Sequence, residues 1–301
     1  MNSILITGGT GFFGKSILDY RLRHPDFLND AAITILSRDP KKFAVANPRL
    51  AQQPGLSFIQ GDVRNFACDQ PFDTIIHAAT AAVTTLSDEE MHSTIADGTL
   101  HVLEVAKKCG TQRLLFTSSG AVYGPQFAAI NEETPTNPVT AYGRGKLTAE
   151  QMCVESGIPT QIARCFAFVG PYLNRRIHFA IGNFIQNCLD NEPIIIKGDG
   201  TPLRSYLYAD DLVEWLFAIL ERGEPGRPYN VGSPEGLSIR ELAETVRTTL
   251  GTENEIRVLG TPTTEKPSVY VPIVDRAMAE LGLKVKFTIR KAIELSATHI
   301  R

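Results

Sequence analysis

A tyrosine and a lysine lie four residues apart in the segment Ala141-Tyr142-Gly143-Arg144-Gly145-Lys146. The surrounding sequence predicts a helix over 141–156, and residues four apart on a helix share one face. A cation beside a phenol favours the phenolate and lowers the pKa of the tyrosine. We therefore expect Lys146 to make Tyr142 usable as an acid or base near neutral pH. Because Y-x-x-x-K occurs by chance in many helices, the pair carries weight only together with other signals.

Hydroxyl side chains stand upstream of this helix, after a predicted strand over 113–116. The segment reads Thr117-Ser118-Ser119-Gly120-Ala121-Val122-Tyr123-Gly124. The carboxyl end of a central strand is where open α/β sheets bind their ligands. The sequence therefore predicts that hydroxyls of this segment face the same site as the tyrosine.

A glycine-rich loop, TGGTGFFG (7–14), follows the first predicted strand and opens a helix over 11–23. That context is the one a dinucleotide-binding loop requires, with the pyrophosphate lying against the N-terminus of the helix. The same residues also match the P-loop pattern, in which Lys15 would hold phosphates and Ser16 a magnesium ion. A purely structural turn that binds nothing is a third interpretation.

The end of the second predicted strand bears on the choice of cofactor. A site for NAD usually carries an acidic residue there, bonded to the ribose 2′-hydroxyl. Here Ser37 and Arg38 occupy the place, and an arginine can pair with a 2′-phosphate. We therefore expect NADP rather than NAD. Two alternatives remain, namely that Asp39 folds back to a 2′-hydroxyl or that Arg38 only stacks on adenine.

The elements that would position these residues alternate along the first half of the chain. Strands separated by helical crossovers predict a parallel sheet covered on both faces, of the doubly wound Rossmann type. The predicted strands are 3–7, 33–36, 57–60, 74–77, 113–116 and 160–163, and the predicted helices are 11–23, 89–109 and 141–156. The expected fold class is thus α/β, with a cofactor-binding Rossmann domain over 1–164.

The alternation weakens in the second half, so residues 165–301 are expected to form mainly a smaller α/β substrate-binding region. Some of its segments should return to the Rossmann domain. We expect Asp210 or Asp211 to cap one helix and Ser238 to cap another. The predicted elements here are a strand over 194–197 and helices over 180–191, 211–221, 240–250, 276–281 and 290–299.

Composition excludes several classes of protein. The 301 residues fit one or two domains, and the net charge of −3 gives no sign of a nucleic-acid partner. No apolar run reaches the ~18 residues that cross a bilayer, and no signal peptide is evident, so we expect a cytoplasmic protein without a membrane partner. The five cysteines are odd in number and lack C-x-x-C spacing, which indicates reduced core residues. The histidines show no ligand spacing, so we predict no metal site.

With the glycine loop, the hydroxyl segment and the tyrosine–lysine pair, the chain resembles the extended short-chain dehydrogenase/reductases, the NAD(P)-dependent nucleotide-sugar epimerase/dehydratase family. The resemblance covers nearly the whole chain, in the order typical of the family. The matching segments, besides Tyr142 and Lys146, are TGGTGFFG (7–14), GDVRN (61–65), HAA (77–79), TSSGAVYG (117–124), RCFAFVGP (164–171), GDGTPLRSYLYADDL (198–212) and YNVGS (229–233).

The resemblance implies a role for each matching position. Ser119 would bond the reacting sugar oxygen, Tyr142 would transfer the proton, and Lys146 would hold the ribose hydroxyls and tune the phenol. Substrate contacts would come from Ser118, Asn183 and Arg204, the last on the diphosphate, although a surface ion pair is the plainer alternative for Arg204. The cofactor would lie against Gly8, Gly11, Phe12, Phe13, Gly14, Ser37, Arg38, Asp62, Val63, Ala78 and Ala79.

Departures from the family pattern matter as much. The dehydratases carry an acidic pair where this chain has Gly120 and Ala121, so dehydration is disfavoured. The usual asparagine of the sixth-strand motif is Ala167. The customary arginine near the C-terminal D-x-x-x-A-x-x-x-L-G-like segment is not evident, and Lys266 is a candidate substitute.

These observations favour an oxidoreductase that acts on a nucleotide-linked sugar. The first hypothesis is reduction of a 4-keto-6-deoxy nucleotide sugar by NADPH, with Tyr142 as proton donor. The alternatives are a 4-epimerase with tightly bound NAD, other chemistry within the family, a P-loop nucleotidase, and a cofactor sensor or scaffold without catalysis. From the resemblance alone we expect a homodimer formed through the helices over 89–109 and 141–156.

Overall fold

The computed structural model describes residues 1–80, 86–176, 179–261 and 265–298. The strands are β1 (Ser3–Thr7), β2 (Ala32–Ser37), β3 (Leu56–Gln60), β4 (Thr74–His77), β5 (Arg113–Ser119), β6 (Thr160–Cys165), β7 (Phe168–Val169), β8 (Ile194–Ile196), β9 (Leu203–Arg204), β10 (Leu207–Tyr208), β11 (Pro228–Val231), β12 (Leu237–Ser238), β13 (Ile256–Val258) and β14 (Val269–Tyr270). The helices are α1 (Phe12–Arg23), α2 (Pro40–Ala46), α3 (Pro48–Ala51), α4 (Asp88–Cys109), α5 (Ala141–Glu155), α6 (Ala180–Leu189), α7 (Ala209–Arg222), α8 (Ile239–Leu250), α9 (Asp275–Leu281) and α10 (Ile289–Thr298).

Seven parallel strands form the central sheet, in the order β11-β6-β5-β4-β1-β2-β3. This confirms the predicted α/β class and the doubly wound sheet. The strand order reverses between β1 and β4, and ligands of such sheets bind outside the carboxyl ends of the strands at this reversal. The glycine loop follows β1, and Ala78 follows β4.

Strand β1 shows why the sheet is buried on both sides. Its side chains alternate between two apolar cores, because successive residues of a strand point to opposite faces. Ile4 and Ile6 pack into the core that contains Trp215 of α7. Leu5 packs into the opposite core, which contains Val102 of α4 and Ala149 of α5. Helices thus cover both faces, as a parallel sheet requires.

The second half of the chain forms smaller sheets around a third core. Their strand orders are β12-β9-β14, β13-β8 and β10-β7. The third core includes Phe184 of α6, Leu242 of α8 and Ile293 of α10. Strand β11 leaves this half and pairs with β6 at the edge of the central sheet.

The predicted helix caps had different outcomes. Ser238 caps α8, as predicted, and the structure adds a reciprocal capping box with Glu241. The prediction that Asp210 or Asp211 caps α7 was wrong, because Tyr208 holds the cap position and both aspartates lie in the first turn. Their carboxylates have other partners, since Asp210 pairs with Arg23 at 2.6 Å and Asp211 accepts backbone N–H groups near 286.

Most other bounds agree with the sequence prediction to within three residues. The strand predicted over 113–116 continues to Ser119, and the helix predicted over 180–191 ends at Leu189. Helices α2 and α3 and strand β11 were not predicted. The last predicted helix, over 290–299, ends at Thr298, and residue 299 lies outside the described residues. Across the described ranges, no helix combines the length and apolar character needed to cross a membrane.

All five cysteines are free thiols, and four of them are buried. Cys109 is the exception, since it is partly exposed at the end of α4. Its sulfur lies 3.6 Å from the Cys68 sulfur. The interpretation of the cysteines as core residues therefore holds for four of the five.

Candidate active site

The glycine loop is shaped by close backbone approaches. Gly8 has a φ of +71°, and a Cβ there would lie 2.4 Å from the Ala78 carbonyl oxygen. A Cβ on Gly14 would lie 2.2 Å from the Gly9 Cα, so the loop folds against the start of α1 only without these side chains. Gly11 differs, because it is exposed and its added Cβ would meet only the Gly8 oxygen, at 3.2 Å. The open space at Gly11, beside the N-terminus of α1, fits a phosphate group.

The position of Ser16 argues against the P-loop alternative. That interpretation needs the serine hydroxyl as a magnesium ligand, yet Ser16 is 3% exposed and its hydroxyl donates to the Phe12 carbonyl at 2.8 Å. Within the described ranges, no three His, Cys, Asp or Glu side chains group as a metal site would require. The loop geometry therefore favours a dinucleotide over a magnesium-bound triphosphate.

The rings of Phe12 and Phe13 form an aromatic cluster with Phe168. The ring centroids lie 6.4 Å from Phe168 for Phe12 and 5.3 Å for Phe13. Both rings are partly exposed. The cluster braces the start of α1 against β7, and any cofactor contact of the two rings stays a prediction.

A buried histidine joins the two strands that flank the strand-order reversal. The Thr7 hydroxyl lies 2.7 Å from His77 Nδ1, and His77 Nε2 lies 3.0 Å from the Thr99 hydroxyl. Because Thr99 donates to the Ile95 carbonyl, its oxygen must accept from His77 Nε2, and in the neutral ring Nδ1 then accepts from Thr7. Burial lowers the pKa of His77 to about 3. The Thr7 oxygen also accepts from the Ala79 N–H, so this network fixes the backbone over the glycine loop.

The residues at the end of β2 leave the Arg38 side chain exposed, where it could contact a ligand. Ser37 is buried, and its hydroxyl accepts from the Asp39 N–H. The Asp39 carboxylate caps α2 by accepting from the Lys42 N–H at 2.9 Å. Arg38 is exposed, and its charge contributes to the low pKa of Asp62, which hydrogen bonds with Arg64 dominate. Asp39 is therefore already engaged in a cap, whereas Arg38 faces the region next to Asp62.

Asp62 and Val63 follow β3 in the predicted adenine region. The Asp62 carboxylate accepts from the Arg64 side chain at 2.8 Å. Val63 is 8% exposed and packs against Gly98 of α4, where a Cβ would lie 2.9 Å from the valine methyl. The packing at Gly98 thus holds the loop after β3 close to the cofactor edge of the sheet.

Ser119, Tyr142 and Lys146 lie together, as the sequence predicts. Ser119 ends β5, and its hydroxyl lies near the Tyr142 phenol. Lys146 is 2% exposed, donates to the Thr117 carbonyl at 2.7 Å, and has its ammonium 5.9 Å from the Tyr142 ring centroid. Helix α5 therefore presents both side chains to the carboxyl end of β5.

The electrostatics of the cluster differ from the prediction for the phenol. Burial raises the pKa of Tyr142 to about 12, and the neighbouring Ser119 hydroxyl opposes this only in part. Burial also lowers the pKa of Lys146 to about 8. The expected lowering of the Tyr142 pKa by Lys146 was therefore wrong for the protein described. Burial disfavours the charged phenolate, and the Lys146 ammonium is committed to the Thr117 carbonyl.

Ser118 does not join this cluster. Its hydroxyl is buried and donates to the Glu150 carboxylate, which pairs with Arg164 at 2.8 Å. Arg164 also donates to the Tyr123 hydroxyl. Ser118 therefore faces this buried ion pair, while Ser119, the last residue of β5, lies near the Tyr142 phenol. Its predicted substrate contact has no support in this geometry.

Arg204 is half-buried on β9 and held by oxygen atoms of its neighbours. Its guanidinium donates to the Leu203 and Ser268 carbonyls and to the Ser268 hydroxyl. No carboxylate among residues 1–80, 86–176, 179–261 and 265–298 pairs with it, which removes the ion-pair alternative. Burial lowers its pKa. A desolvated cation of this kind favours an anionic ligand.

Asn183 and Lys266 stand apart from the cluster. Asn183 lies in the first turn of α6, partly exposed, and no contact with the cluster ties it to the site. Lys266 is exposed and lies between β13 and β14 in the chain. Their proposed nucleotide and substrate contacts remain predictions.

The sequence prediction missed Tyr270. This residue ends β14, where it is the register partner of Arg204 on β9. Its phenol lies near Ser119 and Tyr142. The one available signal was Gly120, whose added Cβ would lie 2.8 Å from the Tyr270 hydroxyl. That signal points across 150 residues of chain and has no local pattern.

Comparison with known proteins agrees with this architecture. The sequence model described as NAD dependent epimerase/dehydratase family matches residues 4–232. UDP-glucuronic acid decarboxylase 6 of Arabidopsis thaliana is 30% identical, over 99% of this chain and 88% of the relative.

Solved structures share the fold at lower identity. A UDP-glucuronic acid 4-epimerase of Bacillus cereus, in complex with UDP-glucuronic acid and NAD, superposes with a TM-score of 0.85 at 22% identity, over 99% of this chain and 98% of that one. A UDP-glucose 4-epimerase of Thermotoga maritima with UDP-glucose gives a TM-score of 0.84 at 21% identity, with the same coverage. With its seven-stranded sheet, its glycine loop and its serine–tyrosine–lysine cluster, this chain belongs to the NAD-dependent epimerase/dehydratase family.

Proposed function

We propose that this protein reduces a nucleotide-linked keto sugar with NADPH, and that Tyr142 protonates the sugar oxygen. The observation that carries the proposal is a proton-transfer cluster without an acid beside it. Ser119, Tyr142 and Lys146 lie together, and the residues after Ser119 are Gly120 and Ala121. Dehydration needs an acid for the departing hydroxyl and a base for the carbon acid. Hydride and proton transfer at one carbonyl needs only the groups that are present.

In this proposal Ser119, Tyr142 and Lys146 each have a separate role. Bound cofactor supplies the hydride. The Ser119 hydroxyl donates a hydrogen bond to the carbonyl oxygen, as an oxyanion site does. Tyr142 gives that oxygen its proton, and Lys146 holds the cofactor ribose beside the phenol. A pKa of about 12 keeps the Tyr142 phenol protonated at neutral pH, which is the form that reduction requires.

Support for NADP comes from the end of β2. Arg38 is exposed there, while the nearest alternative group, the Asp39 carboxylate, is engaged as the cap of α2. A guanidinium pairs well with a 2′-phosphate. We accordingly expect Arg38→Ala to weaken NADPH binding far more than NADH binding, and an equal loss for both would contradict the assignment.

Support for a nucleotide diphosphate comes from Arg204. Its half-buried guanidinium is oriented by the Ser268 hydroxyl and faces the same region as Tyr270. A diphosphate would supply the anion that this cation lacks. Asn183 is the proposed contact for the nucleotide half, and the region over 165–301 is proposed to hold most of the substrate while 1–164 holds the cofactor.

The first experiment is a reduction assay. Purified protein and NADPH are mixed with a thymidine-diphosphate 4-keto-6-deoxyhexose in one reaction and with the uridine-diphosphate form in another. The loss of nicotinamide absorbance is followed in both. We expect stoichiometric oxidation with the wild type and a loss of most turnover, with cofactor binding retained, in Tyr142→Phe. Near-full activity of Tyr142→Phe would refute the assigned proton donor.

A 4-epimerase with tightly bound NAD is the second candidate, favoured by the structural similarity to two epimerases. It would use the same three side chains but return the hydride to the same carbon. Two results would favour it over the reductase, namely NAD released when the purified protein is denatured and inversion of a UDP-sugar without net change in nicotinamide absorbance. Absence of both, with NADPH oxidation present, would exclude it.

We also propose a homodimer formed through α4 and α5. Apolar side chains are exposed on both helices, with Leu100 of α4 48% exposed and Val154 of α5 55% exposed. Exposed apolar groups on adjacent helices are typical of a contact surface. A light-scattering mass near that of the monomer would contradict this expectation.

A further inference from the structure

Two cysteine thiols lie in contact at the end of α4. The Cys109 sulfur is 3.6 Å from the Cys68 sulfur. Both sulfurs are within hydrogen-bonding distance of the Gln70 carbonyl oxygen, at 3.2 Å for Cys109 and 3.4 Å for Cys68. Cys68 lies in the β3–β4 segment, which is residues 61–73. The two cysteines are 41 residues apart in the chain, so tertiary packing brings them together.

Contacts on both sides of this thiol pair hold the β3–β4 segment against the end of α4. The Lys108 ammonium donates to the Cys68 carbonyl and to the Asp69 carboxylate, both at 3.2 Å. Beyond the pair, the Thr111 hydroxyl donates to the Phe72 carbonyl at 2.9 Å. The backbone on either side of the sulfurs therefore keeps them in contact.

The distance between the two sulfurs is short enough for a disulfide to form within the fold. An S–S bond is about 2.05 Å long, so the sulfurs would have to approach by about 1.5 Å. Rotation about the side-chain bonds of the two cysteines can supply a movement of this size. The other three cysteines are buried on other elements, namely Cys153 on α5, Cys165 on β6 and Cys188 on α6.

The two thiols of the pair differ in their access to solvent. Cys109 is partly exposed, whereas Cys68 is 5% exposed. A reagent in solution therefore meets Cys109 first, and the Cys68 sulfur lies beside it. Burial raises the pKa of the Cys109 thiol to about 11. Because the thiolate is the reactive form, the reaction is slow at neutral pH.

We propose that Cys68 and Cys109 are a dithiol modification site, which a small disulfide such as oxidised glutathione converts into an intramolecular disulfide that locks the β3–β4 segment to α4. The Cys109 thiolate attacks one sulfur of the reagent, whose S–S bond breaks and releases one thiolate. The Cys68 thiolate then attacks the Cys109 sulfur of the mixed disulfide and releases the second thiolate. The two cysteines lose two electrons and two protons, and the reagent is reduced to two thiols. This site does not depend on the proposed function.

The test is to treat purified protein with oxidised glutathione at mildly alkaline pH, and then to measure the intact mass and map the peptides without reductant. We expect the wild type to lose the mass of two hydrogens and to give one peptide pair that joins Cys68 to Cys109. In Cys68→Ser, glutathione should stay attached to Cys109, because the second thiol is missing. In Cys109→Ser, Cys68 should stay unmodified, because it is buried.

Cys188→Ser is the matched control, because it removes a buried cysteine from α6 and should leave the disulfide of the wild type unchanged. A glutathione adduct that persists on the wild type would overturn the assignment. A disulfide between two chains would also overturn it, as would modification of Cys68 in Cys109→Ser as fast as that of Cys109 in the wild type. Circular dichroism checks that each variant is folded, and the peptide map of the wild type decides if one is not.

Stability gives the second measurement. A cross-link between residues 41 apart in the chain should raise the urea midpoint of the oxidised protein by about 1 M. Reduction with dithiothreitol should restore the original midpoint. A midpoint that is unchanged or lower after oxidation would overturn the proposed lock, because the disulfide would then not fit the native packing.

Discussion

Gly11→Ala should separate cofactor binding from folding. Gly11 has φ −85° and ψ −168°, which alanine adopts readily, and the added methyl group would meet only the Gly8 oxygen, at 3.2 Å. Gly11 is also the N-cap of α1, where alanine is poorer than glycine by up to about 1 kcal/mol. The gain from restricting the unfolded chain is about 0.4–1 kcal/mol in the other direction. We expect the free energy of unfolding to change by less than about 1 kcal/mol.

The affinity of Gly11→Ala for the dinucleotide should change much more than its stability. The Gly11 methyl group would occupy the open space where the loop and the N-terminus of α1 would receive the pyrophosphate. Losing one hydrogen bond to a charged group costs about 1.5–3 kcal/mol, which corresponds to a roughly 10- to 100-fold weaker affinity. Urea unfolding followed by circular dichroism measures the stability, and calorimetric titration with NADPH and NADH measures the affinity.

Two control variants bracket this result. Gly198→Ala places a methyl group in open space, with no atom within 4 Å, and should change neither stability nor affinity. Gly14→Ala places one 2.2 Å from the Gly9 Cα and should cost about 3 kcal/mol or more in stability. A Gly11→Ala protein that folds normally and binds both dinucleotides as tightly as the wild type would refute the assignment of the loop to the pyrophosphate.

Three further predictions concern buried charges. Glu150→Ala leaves the Arg164 guanidinium buried without its partner and should lower the free energy of unfolding by about 3–5 kcal/mol in urea titrations; a loss under 1 kcal/mol would contradict this. Burial lowers the pKa of Lys146 from 10.5 to about 8. The free energy of unfolding of the wild type, relative to Lys146→Met, should therefore rise by about 3 kcal/mol as the pH increases from 8 to 10.5. A difference that does not change with pH would mean that the Lys146 pKa is not lowered. His77 stays neutral in the folded protein, so wild-type stability relative to His77→Gln should fall as pH drops from 6.5 toward 3, by up to ~5 kcal/mol; a constant difference would refute the burial of a neutral ring.

The sequence was sufficient for features that depend on neighbours along the chain. Alternating strands and helices predicted the parallel sheet, and the glycine loop was predicted at the junction of β1 and α1. The four-residue spacing placed Tyr142 and Lys146 on one helical face. The cap at Ser238 was predicted from its place just before α8. Each of these depends on backbone periodicity or on a local turn.

Local patterns failed where distant groups competed for the same side chain. Asp210 and Asp211 have the composition of a helix cap, but Arg23 and the backbone near 286 bind their carboxylates instead. Ser118 and Ser119 are adjacent hydroxyls, but the buried Glu150–Arg164 pair binds Ser118, and the local sequence does not reveal that pair. Strand β11 is a short segment whose place at the sheet edge depends on β6.

The sequence by itself thus determined the fold class, the position of the glycine loop and the shared helix of Tyr142 and Lys146. The tertiary structure alone decided the charge state of these side chains and which distant residues pack beside them. Burial, which is a property of the whole packed molecule, raises the pKa of Tyr142 despite the nearby ammonium. The Tyr270 hydroxyl approaches Gly120 closely because β14 belongs to a separate small sheet that packs there, and a side chain at residue 120 would collide with it. Desolvation and approach between distant segments have no period along the chain, so no spacing could reveal them.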